Sequence, residues 1–241
     1  MKVHMTLQGK GGVSKSMITA VLGQYKEEKG SLEFCADTDP VNATLAAYEG
    51  LNVRRLEIME GDEVNARNFD QLIEWIAVAE LDVVVDNGAS SFIPLCSYLI
   101  DNQIPSLLNE MGHELIVHVV ITGGQAYDDT VNGFVALVTQ MPAQTKFVVW
   151  LNPFWGPVAG TDGVKFEDSE EYRAHKKRIS AIVQVPNLKA DTYGRDFSDM
   201  LQEHMTFNEA IANGNLSIMT RQRLKIVKEQ FYTQLDNLAV I

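Results

Sequence analysis

The sequence predicts an α/β fold: a three-layer, doubly wound, mostly parallel sheet with helices on both faces. Three observations carry that expectation. Apolar runs of strand character alternate with segments of helical periodicity along the whole chain, the pattern of repeated strand–helix–strand units. Leu81-Asp82-Val83-Val84-Val85-Asp86 is a near-continuous β-branched run, as in a strand covered on both faces. A glycine-rich turn, Gly9-Lys10-Gly11-Gly12, separates the first strand from the first helix. The length of 241 residues fits one large α/β domain. No linker, repeat or low-complexity tract interrupts the rhythm, so residues 1–241 read as a single domain.

The elements follow in order. Residues 3–8 are the first strand. A helical pattern runs from Ser16 to Lys29, with Ile18, Val21, Leu22 and Tyr25 on one face and Gly30 as its stop. Residues 31–36 are a second strand, ending at Asp37-Thr38-Asp39-Pro40. A short third strand is expected at 56–59, and a helix at 68–79 that turns Phe69, Leu72, Ile73 and Ile76 inward. After the strand ending at Asp86, helices near 92–109 and 126–140 alternate with strands at 115–121 and 146–151. Glycine and proline mark 153–166 as a loop. A helix near 167–176, a strand at 179–185 and helices near 195–212 and 217–238 complete the chain.

Composition narrows the function classes. Hydrophobic residues at 46% and charged residues at 22% exclude disordered, collagenous and disulfide-scaffold proteins. A net charge of −12 weighs against DNA or RNA as the principal direct partner, because phosphate neutralisation dominates that affinity. Cys35 and Cys96 lack metal-ligand spacing and lie among apolar residues, so they read as buried free thiols in a reducing compartment. With no apolar run of membrane-spanning length and no signal-peptide core, the expected location is the cytoplasm.

The most specific feature is Gly9-Lys10-Gly11-Gly12-Val13-Ser14-Lys15-Ser16, followed by Met17. Its layout is that of a phosphate-binding loop, Gly-x-x-x-x-Gly-Lys-Ser/Thr, in the strand–turn–helix context the loop requires. Glycines let backbone N–H groups point inward around phosphates, and the helix N-terminus adds its dipole. Lys15 reaches the β- and γ-phosphates, and the Ser16 hydroxyl can ligate Mg²⁺. Ser14 stands where the pattern has its second glycine. If that position needs a positive φ, a Cβ there costs about 1–2 kcal/mol, so weaker or slower nucleotide handling is expected.

Carboxylates cluster at the expected strand ends. Asp86 closes the Val83–Val85 run, the Walker B placement of an acid that binds Mg²⁺, usually through water. A helix or loop cap is the bland alternative. Asp37 and Asp39 lie two apart, facing the same way on extended chain, where parallel sheets bind ligands. An Asx-turn closed by Pro40 is the alternative for that pair.

With a lysine at each end, Lys10-Gly11-Gly12-Val13-Ser14-Lys15-Ser16 resembles the deviant Walker A motif of the ParA/MinD family of dimeric ATPases. The resemblance implies ATP and ADP as ligands with Mg²⁺, slow hydrolysis and a nucleotide-dependent homodimer. In it, Lys10 reaches across the interface to the other subunit's nucleotide. Asp37-Thr38-Asp39-Pro40 resembles switch I, in which Asp39 orients the attacking water and Asp37 lies nearer the magnesium. Lys10, Lys15 and Asp39 are then the catalytic set, and Ser16, Asp37 and Asp86 the metal set. Asn152 follows Val148-Val149-Trp150-Leu151, where relatives carry an asparagine for adenine; a turn before Pro153 is the alternative. Val185-Pro186 resembles the second base-contacting loop. Val41 departs from the usual glutamine, and Asn87-Gly88-Ala89-Ser90-Ser91 departs from Asp-x-Pro-x-Gly, with Gly88 left as the turn of switch II.

Further segments resemble the TraL/StbB branch of that family. They are Asp37–Thr44, Val84–Phe92, Val149–Pro153, Tyr193–Leu201 and Met219–Leu224. The branch implies a role in conjugative plasmid transfer, positioning or maintenance, with a transfer or stability protein as partner and DNA reached indirectly. A nucleotide-gated adaptor or scaffold with little or no hydrolysis is the alternative. Some relatives carry a C-terminal amphipathic helix for peripheral membrane association; here the mixed polar face does not support it, and Leu224, Val227, Phe231, Leu235 and Leu238 read as core. Two basic clusters, Arg173 with Lys176, Lys177 and Arg178, and Arg221 with Arg223, Lys225 and Lys228, read as solvated helix faces or weak anion patches. Phe154 and Trp155 could pack under a base or face a partner.

Overall fold

The computed structural model describes residues 1–241. In chain order the elements are β1 (Lys2–Thr6), α1 (Lys15–Glu28), β2 (Leu32–Asp37), β3 (Val53–Arg55), β4 (Met59–Glu60), β5 (Glu63–Val64), α2 (Asp70–Ala77) and β6 (Asp82–Asp86). They continue with α3 (Phe92–Asp101), α4 (Ile104–Glu110), β7 (Glu114–Thr122), α5 (Tyr127–Gln140), β8 (Lys146–Asn152), α6 (Glu170–His175), β9 (Ile179–Gln184), α7 (Tyr193–Gln202), α8 (Phe207–Ala212) and α9 (Ile218–Asp236). Seven strands form one parallel sheet in the order β3-β2-β6-β1-β7-β8-β9, while β4 and β5 make a small antiparallel hairpin.

The period-2 alternation of the strands builds two cores. Val3, Met5, Val83, Val85, Val117 and Val119 face a layer that includes Leu72 and Ile76 of α2, Leu95 of α3, Leu108 of α4 and Phe134 of α5. Ile116, Val120, Val148 and Trp150 face Ile18 and Val21 of α1, Phe197 of α7, Phe207 of α8 and Phe231 of α9. On this second face lies a buried polar chain across three strands. His4 Nδ1 is 2.9 Å from His118 Nε2, and Trp150 Nε1 donates to His118 Nδ1 at 2.9 Å. Leu224, Val227, Phe231 and Leu235 of α9 are buried in this core, with Leu238 partly buried against it.

The structure departs from the expected elements in three places. The third strand is Val53–Arg55, pairing Val53 with Cys35, rather than 56–59. Leu56 and Ile58 are buried beyond it as loop residues of the larger core, so their hydrophobicity marked burial and not pairing. The helix expected at 92–109 is two, because Gln103 adopts φ 53° and Pro105, lacking an N–H, can only begin a new helix. The helix expected at 195–212 also breaks, at His204 with φ 50°, before Thr206 and Glu209 start α8 as a capping box.

The register fixes the location of the site. β1 lies between β6 and β7, so connections leave it in both directions, and ligands bind at such a switch point beyond the carboxyl ends of the strands. There Thr6 pairs with Asp86 on β6, and Asp86 pairs with Asp37 on β2, so the ends of three adjacent strands stand side by side.

Candidate functional site

The glycine-rich loop joins central β1 to α1 and is anchored from beneath. Gln8 is buried, and its Nε2 donates to the carbonyls of Val120 and Thr130 at 3.0 and 3.1 Å. Val13 is also buried, facing the α1-side core. Two loop residues adopt positive φ, Gly12 at 73° and Ser14 at 75°. Position 14 thus does require the left-handed region, and here a Cβ occupies it. Asn152 Nδ2 donates to Ser14 Oγ at 3.2 Å, fastening the strained residue to the end of β8. α1 starts at Lys15 with no side-chain cap and no acid in its first turn, so its positive dipole end faces the loop uncompensated.

Lys15 is nearly buried, and its Nζ donates to the Lys10 carbonyl at 3.0 Å. Burial lowers its pKa, while Asp86 and Asp39 pull it back up. Lys10 points elsewhere: its ammonium pairs with Asp129 of α5 at 2.7 Å, both partners exposed.

The acids take distinct places. Asp86 is buried; Thr19 Oγ1 donates to its Oδ1 at 3.0 Å, and its Oδ2 has no partner. Burial pushes Asp86 up to about 6, with the Ser16 hydroxyl pulling it down and Asp37 adding to the rise. Asp37, expected nearer the magnesium, uses both oxygens on the backbone of the segment after β2. Oδ1 accepts from the Asp39 N–H at 3.0 Å and Oδ2 from Ala46 at 2.9 Å. Asp39 accepts from the N–H groups of Val41 and Asn42 through Oδ1 alone, so an Asx-turn is indeed present. Gly88 packs directly on Asp39: a Cβ there would come within 2.7 Å of both carboxylate oxygens. The backbone at Gly88 has no positive φ, so what this glycine supplies is space for Asp39 rather than an unusual turn.

A cavity of about 520 Å³ gathers these segments. Gly11, Gly12 and Ser14–Met17 form one wall, Asp39, Val41, Asn42 and Thr44 another, and Asn87, Ala89 and Ser90 the third. Gly9 and Lys10 lie outside it, in a smaller recess with Asp129 and Phe92. Asp37 and Asp86 sit buried at the strand ends. No group of three or more His, Cys, Asp or Glu side chains could by itself hold a metal. Ser16 and the unpaired Asp86 Oδ2 fit a cation that takes its remaining ligands from phosphate oxygens and water, as Mg²⁺ does.

Asn152, expected at the adenine, is held at the junction of the turn and the loop. Its Oδ1 accepts from the Phe154 N–H at 3.1 Å, and its Nδ2 serves Ser14 and, at 3.4 Å, the Val13 carbonyl. Both ends of the amide are therefore engaged in the turn and the loop. Next to it, Pro153, Val185 and Pro186 line one groove of about 620 Å³ against α9. Phe154 and Trp155 pack edge to face at 4.9 Å and are exposed.

Several residues escaped the sequence reading. Thr19 bridges Thr6 and Asp86, one helical turn beyond Lys15. Thr38, Asn87 and Ser91 form a buried hydrogen-bonded set linking the segments that follow β2 and β6. The only sequence signal of Thr38 and Asn87 is adjacency to Asp37, Asp39 and Asp86, and Ser91 has none. Four of the eight residues of the basic clusters are held in structural contacts. Arg178 donates to the Val138, Met141 and Pro142 carbonyls ending α5, and Arg173 to the Asp168 and Ser169 carbonyls. Arg223 pairs with Asp196, and Lys228 with Glu28. No helix is long and apolar enough to cross a membrane.

A parallel sheet with a lysine-flanked phosphate loop leaving its central strand, and acids at the neighbouring strand ends, defines a P-loop NTPase fold of the ParA/MinD type. Solved structures agree on the fold. The chain is similar to a chain of the MinC:MinD cell division protein complex of Aquifex aeolicus, at 13% identity and a TM-score of 0.51, covering 94% of this chain and 96% of that one. It is also similar to the MinD cell division protein of the same organism, at 13% identity and a TM-score of 0.50, covering 95% and 96%. No protein-family model matches the chain. Two proteins of Escherichia coli, each called Protein TraL, are 62% and 61% identical over 240 residues, covering 100% of this chain and 99% of theirs. The chain belongs to the TraL family.

Proposed function

We propose that this protein is an ATP-binding, Mg²⁺-dependent switch ATPase that hydrolyses slowly and works as a nucleotide-dependent dimer in conjugative plasmid transfer, positioning or maintenance. One observation carries the nucleotide reading: the phosphate loop, Asp39 and the turn after Asp86 line a single cavity. Loop N–H groups and Lys15 bind phosphates, and Lys15 exchanges the Lys10 carbonyl for a phosphate oxygen. Ser16 and Asp86 hold Mg²⁺, which neutralises charge on the phosphates. Asp39, with its Oδ2 outside the Asx-turn, orients water toward the γ-phosphate. The groove at Pro153 and Val185-Pro186 receives the base through backbone contacts. The MinD fold and the TraL relatives support the dimer and the plasmid setting.

Thermal shift with Mg-ATP tests the core of this reading. The wild-type chain gains stability by mass action, and Lys15→Ala loses the gain. No shift in the wild type, or an equal shift in the variant, overturns it. A single-turnover assay separates slow hydrolysis from the adaptor alternative, in which bound ATP persists for hours. Co-purification with and without a non-hydrolysable ATP analogue identifies the partner.

A further inference from the structure

Asn87 follows the Walker B aspartate and is 1% exposed, yet it lines the phosphate cavity. Its Oδ1 accepts from Ser91 Oγ at 2.8 Å and lies 3.2 Å from Thr38 Oγ1. Its Nδ2 is buried and has no partner. Buried amide nitrogens are almost always paired, and an unpaired one at a ligand cavity is a donor awaiting an acceptor. The cavity already presents Lys15 and an uncapped helix N-terminus, both suited to phosphate. Asn87 lines the same cavity, beside Gly88, on which Asp39 packs.

We propose that Asn87 Nδ2 donates to the terminal phosphate of a bound nucleoside triphosphate and is the residue by which the site tells triphosphate from diphosphate. This rests on the nucleotide reading above. The same amide ties that contact to both switches. Thr38 belongs to the segment that ends in Asp39, and Ser91 immediately precedes α3. Occupation of the terminal phosphate position thereby fixes Thr38, Asn87 and Ser91 together, and loss of that phosphate releases Nδ2.

Asn87→Ala is the direct test, because its two neighbours keep other acceptors. The single O–H of Thr38 can turn to the Asp86 carbonyl at 2.9 Å, and that of Ser91 to the Thr38 or Gly88 carbonyl at 3.2 or 3.3 Å. Calorimetric titration of the full chain with Mg²⁺ compares ADP with a non-hydrolysable ATP analogue. The expected result is analogue affinity reduced about tenfold or more, the worth of a hydrogen bond to a charged group, with ADP affinity within about twofold. Equal loss for both nucleotides, or none for either, overturns the proposal. If the wild type binds neither, the nucleotide reading itself fails. Should the variant not fold, the wild-type chain supplies the readout through the Asn87 side-chain amide in an NMR titration. A shift with the analogue and not with ADP supports the proposal; no shift, or the same shift with both, overturns it.

Discussion

Ser14 holds a conformation that suits glycine better than serine. Its φ of 75° costs about 1–2 kcal/mol for a residue with a Cβ. Ser14→Gly would remove that strain, lose the hydrogen bond from Asn152, worth about 1 kcal/mol, and add about 0.5–1 kcal/mol of unfolded-chain entropy. These terms nearly cancel, so the melting temperature of Ser14→Gly should stay close to that of the wild type. The effect belongs in the loop's fit to phosphates, and tighter ATP binding or faster turnover is expected. Unchanged affinity and rate would show that the left-handed serine does not limit the site. The need for a special φ at position 14 was legible from the motif. The fastening of Ser14 by Asn152 was not, because 138 residues separate them and only the sheet brings them together.

The buried histidine pair makes a second residue-scale prediction. Burial holds both rings below the ordinary value of 6.5, His118 at about 3, with Lys26 opposing protonation of each and the neighbouring His118 opposing that of His4. Between pH 6.5 and 3 the unfolded chain therefore binds more protons than the folded one. Stability present above pH 6.5 is lost as pH falls through this window, by about 2 kcal/mol for His118 at pH 5, and His4 acts in the same sense. Asp37 and Asp86 are shifted upward and act in the opposite sense, so a variant isolates the pair. Urea denaturation at pH 7.5 and pH 5 should show a smaller acid loss in His4→Phe than in the wild type. An equal loss would assign the acid sensitivity elsewhere.

At the scale of elements, α5 illustrates how a surface charge becomes structural. Its last carbonyls converge on the guanidinium of Arg178, from the turn before β9, at 3.1 Å to Val138, 3.2 Å to Met141 and 2.8 Å to Pro142. Arg178→Ala leaves those carbonyls without this charged donor, and an unfolding cost of about 1–3 kcal/mol is expected in chemical denaturation. A change below about 0.5 kcal/mol would mean that water replaces it. In sequence, Arg178 read as one of a basic run, because nothing local reveals a carbonyl forty residues away. The central strands were legible, since valine and isoleucine runs covered on both faces leave little ambiguity. The helix breaks at Gln103 and His204 were missed although Pro105 and the Thr206–Glu209 pair carried the signal, because apolar periodicity continued across them. β3 was misplaced because Leu56 and Ile58 are buried without being paired.

At the scale of the whole molecule, Lys10 is the residue that looks outward. Its pair with Asp129 is exposed on both sides, 44% and 56%, and such pairs are worth about 0–1 kcal/mol. A partner subunit's phosphates would easily outcompete it. Lys10→Ala should bind the ATP analogue as a monomer within about threefold of wild type yet fail to dimerise in sedimentation or size-exclusion runs, since a lysine acting only in trans contributes after binding. Dimers of normal stability in Lys10→Ala would remove the trans role. With −12 charges on each copy, dimerisation should strengthen as salt is raised from low ionic strength.

The position of β1 also has a consequence for how the protein is made. Val3 pairs with Val83 on one side and Leu115 on the other, so the first strand synthesised waits for β6 and then β7 before it is flanked. At about 5–20 residues per second, some 4–16 seconds pass on the ribosome before β6 emerges to meet it. During that time the nascent phosphate loop hangs from an unpaired strand, with no sheet edge to shape it. The proposed nucleotide site is thus completed late in the life of each chain, only once β6 and β7 have enclosed β1.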